Sequence, residues 1–285
     1  MKKQFQINNL KKYINRAQVK KILSETYKLI FDFGLLFKLR SQKSLNSKEF
    51  KIVTGSDSSH FNSLVNLLNS IKKHEPDTET IVYNLGLSSD EVYYLKNNFN
   101  FEVINFEFKN YPKFIGEIDS SNKLGSYGWK PIIINKEFSK NDKNLLWLDA
   151  GCLLTKKLAL LKKYIPKVGF YSPESSNSVK DWSHIFTIQK LNLPSKYLNF
   201  PNFSGGIVGV AQNDKKIKEL INKWEYFALD KETLAPKGSS RQNHRQDQTI
   251  LTLLVYILKI NNNLFKGHRI FGVLKDQDNE EFKFI

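Results

Sequence analysis

Asp149 ends a nearly all-apolar run, Asn144-Leu145-Leu146-Trp147-Leu148, and is followed by two small residues, Ala150 and Gly151. In open α/β sheets ligands bind beyond the carboxyl ends of the strands, so a carboxylate in this position can face one. Hard divalent cations take oxygen ligands of this kind and keep positions open for phosphate. The plainer alternative is a carboxylate that caps the following turn. A second place is Thr54-Gly55-Ser56-Asp57, which follows the short run Lys51-Ile52-Val53 and opens into a helical pattern. Backbone amides at a helix N-terminus attract anions, and glycine lets a ligand come close. The glycine-lysine-serine ending of a P-loop is absent, as is a GxGxxG fingerprint, which argues against a dinucleotide-binding fold.

A third group, Arg241-Gln242-Asn243-His244-Arg245-Gln246-Asp247-Gln248, opens an apolar helix. Asp247 in a first helical turn suits the helix dipole, but the dipole does not account for His244 and the two arginines beside it. Such a cluster can hold an anionic or hydroxyl-rich substrate, or supply a general base. Lys266-Gly267-His268-Arg269 offers His268 as a metal ligand or phosphate contact, against the structural role that a lone histidine more often has. Cys152 follows the Asp149 turn with no histidine near it in sequence, and reads as buried.

The elements that would position these residues alternate. Residues 51–54 and 80–83 are short β-branched runs, and residues 101–106 alternate like a strand. Between the first two, Phe61, Leu64, Val65, Leu67, Leu68 and Ile71 recur at helical spacing, and Ser88-Ser89-Asp90-Glu91 starts another helix. Strand, helix, strand, helix, strand in this compass predicts parallel pairing with crossovers. Residues 111–128 read as a loop, 129–138 as a helix with Pro131 in its first turn, and 144–148 as a strand buried on both faces. Residues 168–171 and 203–210 read as strands, 173–178 as a polar loop, and 215–227 and 246–258 as helices. The fold class is therefore α/β, a mixed sheet flanked by helices.

Composition narrows the function. Of 285 residues 13% are aromatic, too many for a disordered chain, and a single cysteine excludes a disulfide scaffold. The net charge is +16, but lysine outnumbers arginine 39 to 5, and base-reading proteins lean on arginine. Residues 1–48 hold ten Lys and two Arg against Glu25 and Asp32, a net of +10, which leaves +6 for the rest. The chain thus divides into a basic helical N-terminal extension, 1–48, and a domain, 49–285. No stretch reaches the roughly 20 apolar residues of a spanning helix, and no secretory signal is recognisable, so a cytoplasmic protein is expected. The apolar, aromatic stretch 29–37 between basic flanks suits either packing on the domain or contact with an anionic membrane surface through residues 1–40.

Taken in order, these pieces resemble a nucleotide-sugar glycosyltransferase of the GT-A fold, closest in layout to the family-8-like enzymes, from about residue 51 to about residue 275. In that family a first strand and turn hold the nucleotide, which corresponds here to Thr54, Gly55, Ser56 and Asp57. A helix, here with Trp129 and Lys130, leads into a strand ending in a DxD motif that binds manganese and the donor diphosphate. The match is Asp149-Ala150-Gly151, a degenerate DxD in which Gly151 replaces the second carboxylate. The family's N-x-G segment resembles Asn202 through Gly205 and Gly206, its D-Q pair resembles Asp247-Gln248, and its C-terminal metal histidine with glycine and lysine resembles His268, Gly272 and Lys275. The step from His268 to Gly272 is one residue longer than usual for the family.

The resemblance implies transfer of a sugar from a nucleotide donor, with a UDP-sugar foremost, to a hydroxyl of a glycan or lipid-linked acceptor, as in polysaccharide assembly at the inner face of a bacterial membrane. Asp149 and His268 would hold Mn2+ or Mg2+, or lysines and arginines would meet the diphosphate instead. Asp247 would be the base in an inverting reaction, or would bind donor or acceptor in a retaining one, with His244, Arg245 and Gln248 on the acceptor side. Two other readings stay open: a non-catalytic nucleotide-sugar-binding protein, and a basic nucleic-acid-binding protein, for which no recognisable module is present.

Overall fold

The computed structural model describes residues 49–119, 124–140, 143–212, 214–260 and 266–275, together with Leu23, Thr26, Tyr27 and Ile30. The expected boundary at residue 48 and the rest of the basic extension lie outside these residues. The four described leader residues are helical and exposed.

The chain runs β1 (Phe50–Ser56), α1 (Phe61–His74), β2 (Glu79–Asn84), α2 (Ser89–Asn98) and β3 (Glu102–Asn105). These are the expected crossover units, and Ser88 and Glu91 close the start of α2 in a reciprocal capping box. After a looped segment of short 3-10 turns come α3 (Trp129–Phe138), β4 (Asn144–Leu148), β5 (Leu153–Leu154), α4 (Ala159–Val168), β6 (Phe170–Tyr171) and β7 (Glu174–Ser178). Then follow α5 (Val179–Trp182), α6 (Ile185–Lys190), β8 (Pro201–Phe203), β9 (Ile207–Val210), α7 (Lys215–Ala228), α8 (Lys231–Leu234), α9 (Gln246–Ile257) and β10 (Val273–Leu274).

Six strands form one sheet in the order β3-β2-β1-β4-β9-β6. The first four are mutually parallel, and β9 runs antiparallel to both β4 and β6. This is the mixed sheet flanked by helices that the sequence pattern predicts. Because side chains alternate along a strand, Ile52, Leu146, Leu148 and Ile207 pack under α1 and α4. Val53, Leu145, Trp147, Val208 and Val210 meet α3, α7 and α9 on the other face.

Three expectations change. The segment 168–171 is a strand only at Phe170 and Tyr171, because α4 continues through Val168 and is stopped by Gly169 at φ +80°. The segment 203–210 is two strands, broken at Ser204-Gly205-Gly206. The polar segment 173–178 contains β7, paired with β8 outside the main sheet, and its Glu-Ser-Ser-Asn-Ser sequence carries no apolar alternation to reveal it. The loop reading of 111–128 stands. Its Gly125 sits at φ +53°, where a Cβ would lie 2.2 Å from the Ile115 carbonyl oxygen.

Helix α3 is tied to the sheet near its C-terminal end by a buried charge pair. Lys51 on β1 donates to the Glu137 carbonyl at 2.9 Å and faces its carboxylate at 3.5 Å, while Tyr83 on β2 donates to that carboxylate at 2.6 Å. Both members of the ion pair are fully buried. Glu137→Ala would remove the buried carboxylate that faces the Lys51 ammonium and accepts from Tyr83, and is expected to cost about 3–5 kcal/mol in urea unfolding, more than Glu137→Gln.

Candidate functional site

The other end of α3 carries Lys130 into the molecule. Pro131 fits the first helical turn, where no amide partner is lost. The side chain is 5% exposed, and its Nζ lies 2.9 Å from Asp149 Oδ1 and 3.5 Å from Asp247 Oδ2. It also donates to the Gly205 carbonyl at 3.2 Å. The rings of Tyr127, Trp129 and Trp147 surround it at 5.4, 5.9 and 5.9 Å from their centroids, a setting that favours a cation. Burial works against the ammonium, but the charges of Asp149 and Asp247 outweigh it and hold its pKa above the ordinary lysine value.

Asp149 stands just beyond β4. Trp147, two residues earlier on the same side of the strand, donates its indole N–H to Asp149 Oδ1 at 2.7 Å. The Asp149 amide bonds the Gly206 carbonyl at 2.9 Å, and its side chain remains 42% exposed. Asp247, in the first turn of α9, is buried; the Trp224 indole fixes its backbone carbonyl at 2.9 Å. Among the described residues its Oδ2 accepts no hydrogen bond. Burial pushes this carboxyl up to about 6, with Lys130 pulling the other way and Asp149 adding to the rise. The glycines explain the break between β8 and β9. A Cβ on Gly206 would fall 2.9 Å from Asp149 Oδ2, and one on Gly205 would fall 3.2 Å from Asp247 Oδ2.

These groups line a cleft of about 670 Å³ at the carboxyl ends of β1 and β4. On one side are Gly55, Ser56 and Asp57. The Asp57 carboxylate caps its own turn through the Ser59 amide at 3.0 Å, and its hydrogen bonds to His60 and Ser59 lower its pKa to about 2. On the other side are Arg241 and Arg245. Arg241 donates to the Tyr127 hydroxyl at 3.3 Å, and the Arg245 guanidinium lies 3.8 Å over the Trp182 ring. Among the described residues neither forms an ion pair. Burial, followed by the charge of Arg241, lowers the Arg245 pKa. Tyr127 and Gln246, also in the lining, and the adjacent Ser126 hold left-handed backbone at φ 62°, 48° and 48°. Non-glycine residues adopt such angles where surrounding structure enforces them.

Of the residues singled out by sequence, the cleft gathers Gly55, Ser56, Asp57, Trp129, Lys130, Asp149, Gly151, Gly205, Gly206, Arg245, Asp247, Gln248 and Lys275. Thr54, Asn202, His244, His268 and Gly272 lie outside its lining. Thr54 is fully buried within β1 and does not line the cleft. His244 is buried outside this cleft: Nδ1 accepts from the His184 amide at 3.2 Å, Nε2 donates to the Leu234 carbonyl at 2.9 Å, and burial lowers its pKa to about 4. His268 is buried, donates from Nδ1 to the Val273 carbonyl at 2.7 Å, and is outside the cleft lining. Sequence reasoning missed Tyr127 and Trp147. The two-residue step from Trp147 to Asp149 was the available signal for the second.

The description "Protein of unknown function (DUF1647)" belongs to the family whose pattern matches residues 7–135, less than half of the chain. None of the curated proteins matches the sequence. Solved structures similar to this chain include the WbbM bifunctional glycosyltransferase in its apo form, at 14% identity and a TM-score of 0.48, covering 76% of this chain. The present chain spans 39% of that protein's length. Galactosyltransferase LgtC with donor and acceptor sugar analogues is 15% identical, with a TM-score of 0.45 and coverage of 72% of this chain and 70% of its own. Core-mannan synthase A from Aspergillus fumigatus, in a Mn/GDP form, is 6% identical, with a TM-score of 0.49 and coverage of 76% and 70%.

The donor set around Asp149 does not suit a divalent ion. The Lys130 ammonium already lies against Asp149 Oδ1, the indole N–H of Trp147 takes the same oxygen, and Gly151 supplies no second carboxylate. Among the described residues no three His, Cys, Asp or Glu side chains come together as a metal-binding group. In the structure Asp149 pairs with Lys130, and His268, the other residue expected at a metal, lies outside the cleft lining. Gly206→Ala is expected to push the Asp149 carboxylate away from its partners and to destabilise the fold by about 1–3 kcal/mol, measured by urea unfolding followed through tryptophan fluorescence.

Proposed function

We propose that the chain is a glycosyltransferase of the GT-A type that moves a sugar from a nucleoside-diphosphate donor to a hydroxyl acceptor. The observation that carries this reading is the cleft itself. A Lys130–Asp149–Asp247 cluster at the strand ends, with Lys130 and Asp247 buried and Asp149 reaching solvent, faces two arginines that form no ion pair among the described residues, so one cleft offers both an anion site and a hydrogen-bond acceptor for hydroxyls. The order of sequence motifs from Gly55 to Lys275 supports the same reading.

Transfer breaks the bond between the anomeric carbon and the β-phosphate oxygen, and the electron pair leaves with the diphosphate. Preorganised positive charge stabilises that developing charge, and Arg241, Arg245, Lys275 and Lys130 supply it in the cleft. The new bond forms to an acceptor oxygen, whose proton must go to a base. Asp247, with a buried oxygen that accepts no hydrogen bond among the described residues, is the group assigned to that proton. The donor proposed is a UDP-sugar, and the acceptor a glycan or lipid-linked saccharide.

A thermal-shift titration with UDP, GDP and CMP tests the donor class, since a ligand that binds the native state raises its melting point. One nucleoside diphosphate is expected to stabilise the protein. Stabilisation with no turnover of any sugar donor would favour a binding protein instead. Asp149→Ala is expected to abolish transfer, and Asp247→Asn to lower kcat by about 100-fold or more. Because Asp247 must be ionised to take a proton and its pKa is raised to about 6, activity is expected to fall as pH drops through that value. A rate flat from pH 5 to pH 8 would remove the base assignment.

We also place the leader on an anionic membrane surface at the inner face, next to a lipid-linked acceptor. Leu23, Tyr27 and Ile30 fall on one helical face and are exposed, within a segment of net charge +10. Among the described residues no helix is long and apolar enough to cross a membrane. The full chain is expected to co-sediment with phosphatidylglycerol vesicles, and the Leu23→Asp/Ile30→Asp variant to remain in the supernatant.

A further inference from the structure

We infer that the Lys130 ammonium occupies the place a divalent cation would take at Asp149, and that the cleft holds a nucleoside diphosphate through its side-chain cations alone. This rests on the transferase reading above.

Two independent observations carry it. The first is the filling of the carboxylate end of β4. Lys130 Nζ contacts Asp149 Oδ1 at 2.9 Å and Oδ2 at 3.3 Å, faces Asp247 at 3.5 Å, and donates to the Gly205 carbonyl at 3.2 Å. One fixed cation thus meets both carboxylates and a carbonyl oxygen, the ligand types that a hard divalent ion would need. Three aromatic rings wall it in. A second cation at the same place would meet the first at close range, in a setting where burial weakens screening.

The second observation is surplus positive charge on the opposite wall. Arg241 and Arg245 line the cleft and, among the described residues, neither is matched by a carboxylate. The Arg245 guanidinium carbon lies 3.8 Å from the centre of the Trp182 ring, which anchors it, and Arg241 is tied to the Tyr127 hydroxyl. The half-buried Arg245 guanidinium, which burial and the charge of the exposed Arg241 both disfavour, is relieved by a bound dianion, and planar forks match phosphate oxygens in pairs. Lys275 lines the cleft as well. The diphosphate is then met by these cations, while Lys130 keeps the charge of Asp149 and Asp247 from repelling it.

The test uses the full chain and UDP, GDP and CMP, by isothermal titration in EDTA and again with millimolar Mn2+. The free Mn2+ signal is followed by electron paramagnetic resonance in the presence of protein and nucleotide. The expected result is one nucleoside diphosphate bound with affinity equal to within about twofold in the two buffers, and no protein-dependent loss of the Mn2+ signal beyond that of nucleotide alone. Binding that needs Mn2+, or that rises tenfold with it, overturns the inference and leaves the transferase reading standing. No binding in either buffer overturns both. Arg245→Ala, at the surface of the cleft, is expected to lower affinity by tenfold or more in EDTA with an unchanged unfolding midpoint. Unchanged affinity in that variant would overturn the assignment of the diphosphate to the arginines.

Discussion

A single buried ammonium organises this molecule. Lys130 lies where a helix start, a strand end, a glycine turn and a second helix start converge, and it touches all of them. Charges that are taken out of water must be compensated, and removing one partner leaves the other exposed to the full desolvation penalty. The cluster therefore constrains its surroundings more tightly than apolar packing would. Gly205 and Gly206 have no side chains because the two carboxylates occupy that space, and the strand pair β8–β9 is interrupted where they stand.

Helix α3 is consequently held by charge at both ends. Glu137 fixes the last turn against Lys51 and Tyr83, while Lys130 fixes the first against Asp149 and Asp247. Its middle, Ile132, Ile133 and Ile134, is buried in the core between the sheet and α7. A helix so anchored cannot slide along its axis without breaking ion pairs at each end. That gives the cleft a rigid wall, and rigidity is what positions a reacting group to within the tolerance that catalysis demands.

The sequence made the scaffold legible where local rules suffice. The capping box at Ser88, the first-turn Pro131 and the apolar run 144–148 each predict their element from neighbouring residues, and each element is present. Asp149 and Asp247 are recognisable as candidates from their places at strand and helix ends, and Lys130 through the family resemblance. Their mutual contact is not, because residues 130, 149 and 247 meet only through tertiary folding. The histidines misled for a related reason. His244 sits within a charged cluster in sequence, yet its ring turns inward to backbone partners at His184 and Leu234. Strand β7 escaped notice because a polar strand paired outside the main sheet needs no hydrophobic alternation.

The strand order β3-β2-β1-β4-β9-β6 has a consequence for the chain as it leaves the ribosome. The first four positions are filled by residues up to Leu148, whereas the neighbour of β4 on its other side is β9, which begins at Ile207. During synthesis of the intervening segment, Asn144-Leu145-Leu146-Trp147-Leu148 is an uncovered sheet edge of almost purely apolar composition. Such edges are templates for pairing between chains. The nascent protein thus passes through an interval of aggregation risk that closes only when a strand made some sixty residues later inserts beside it.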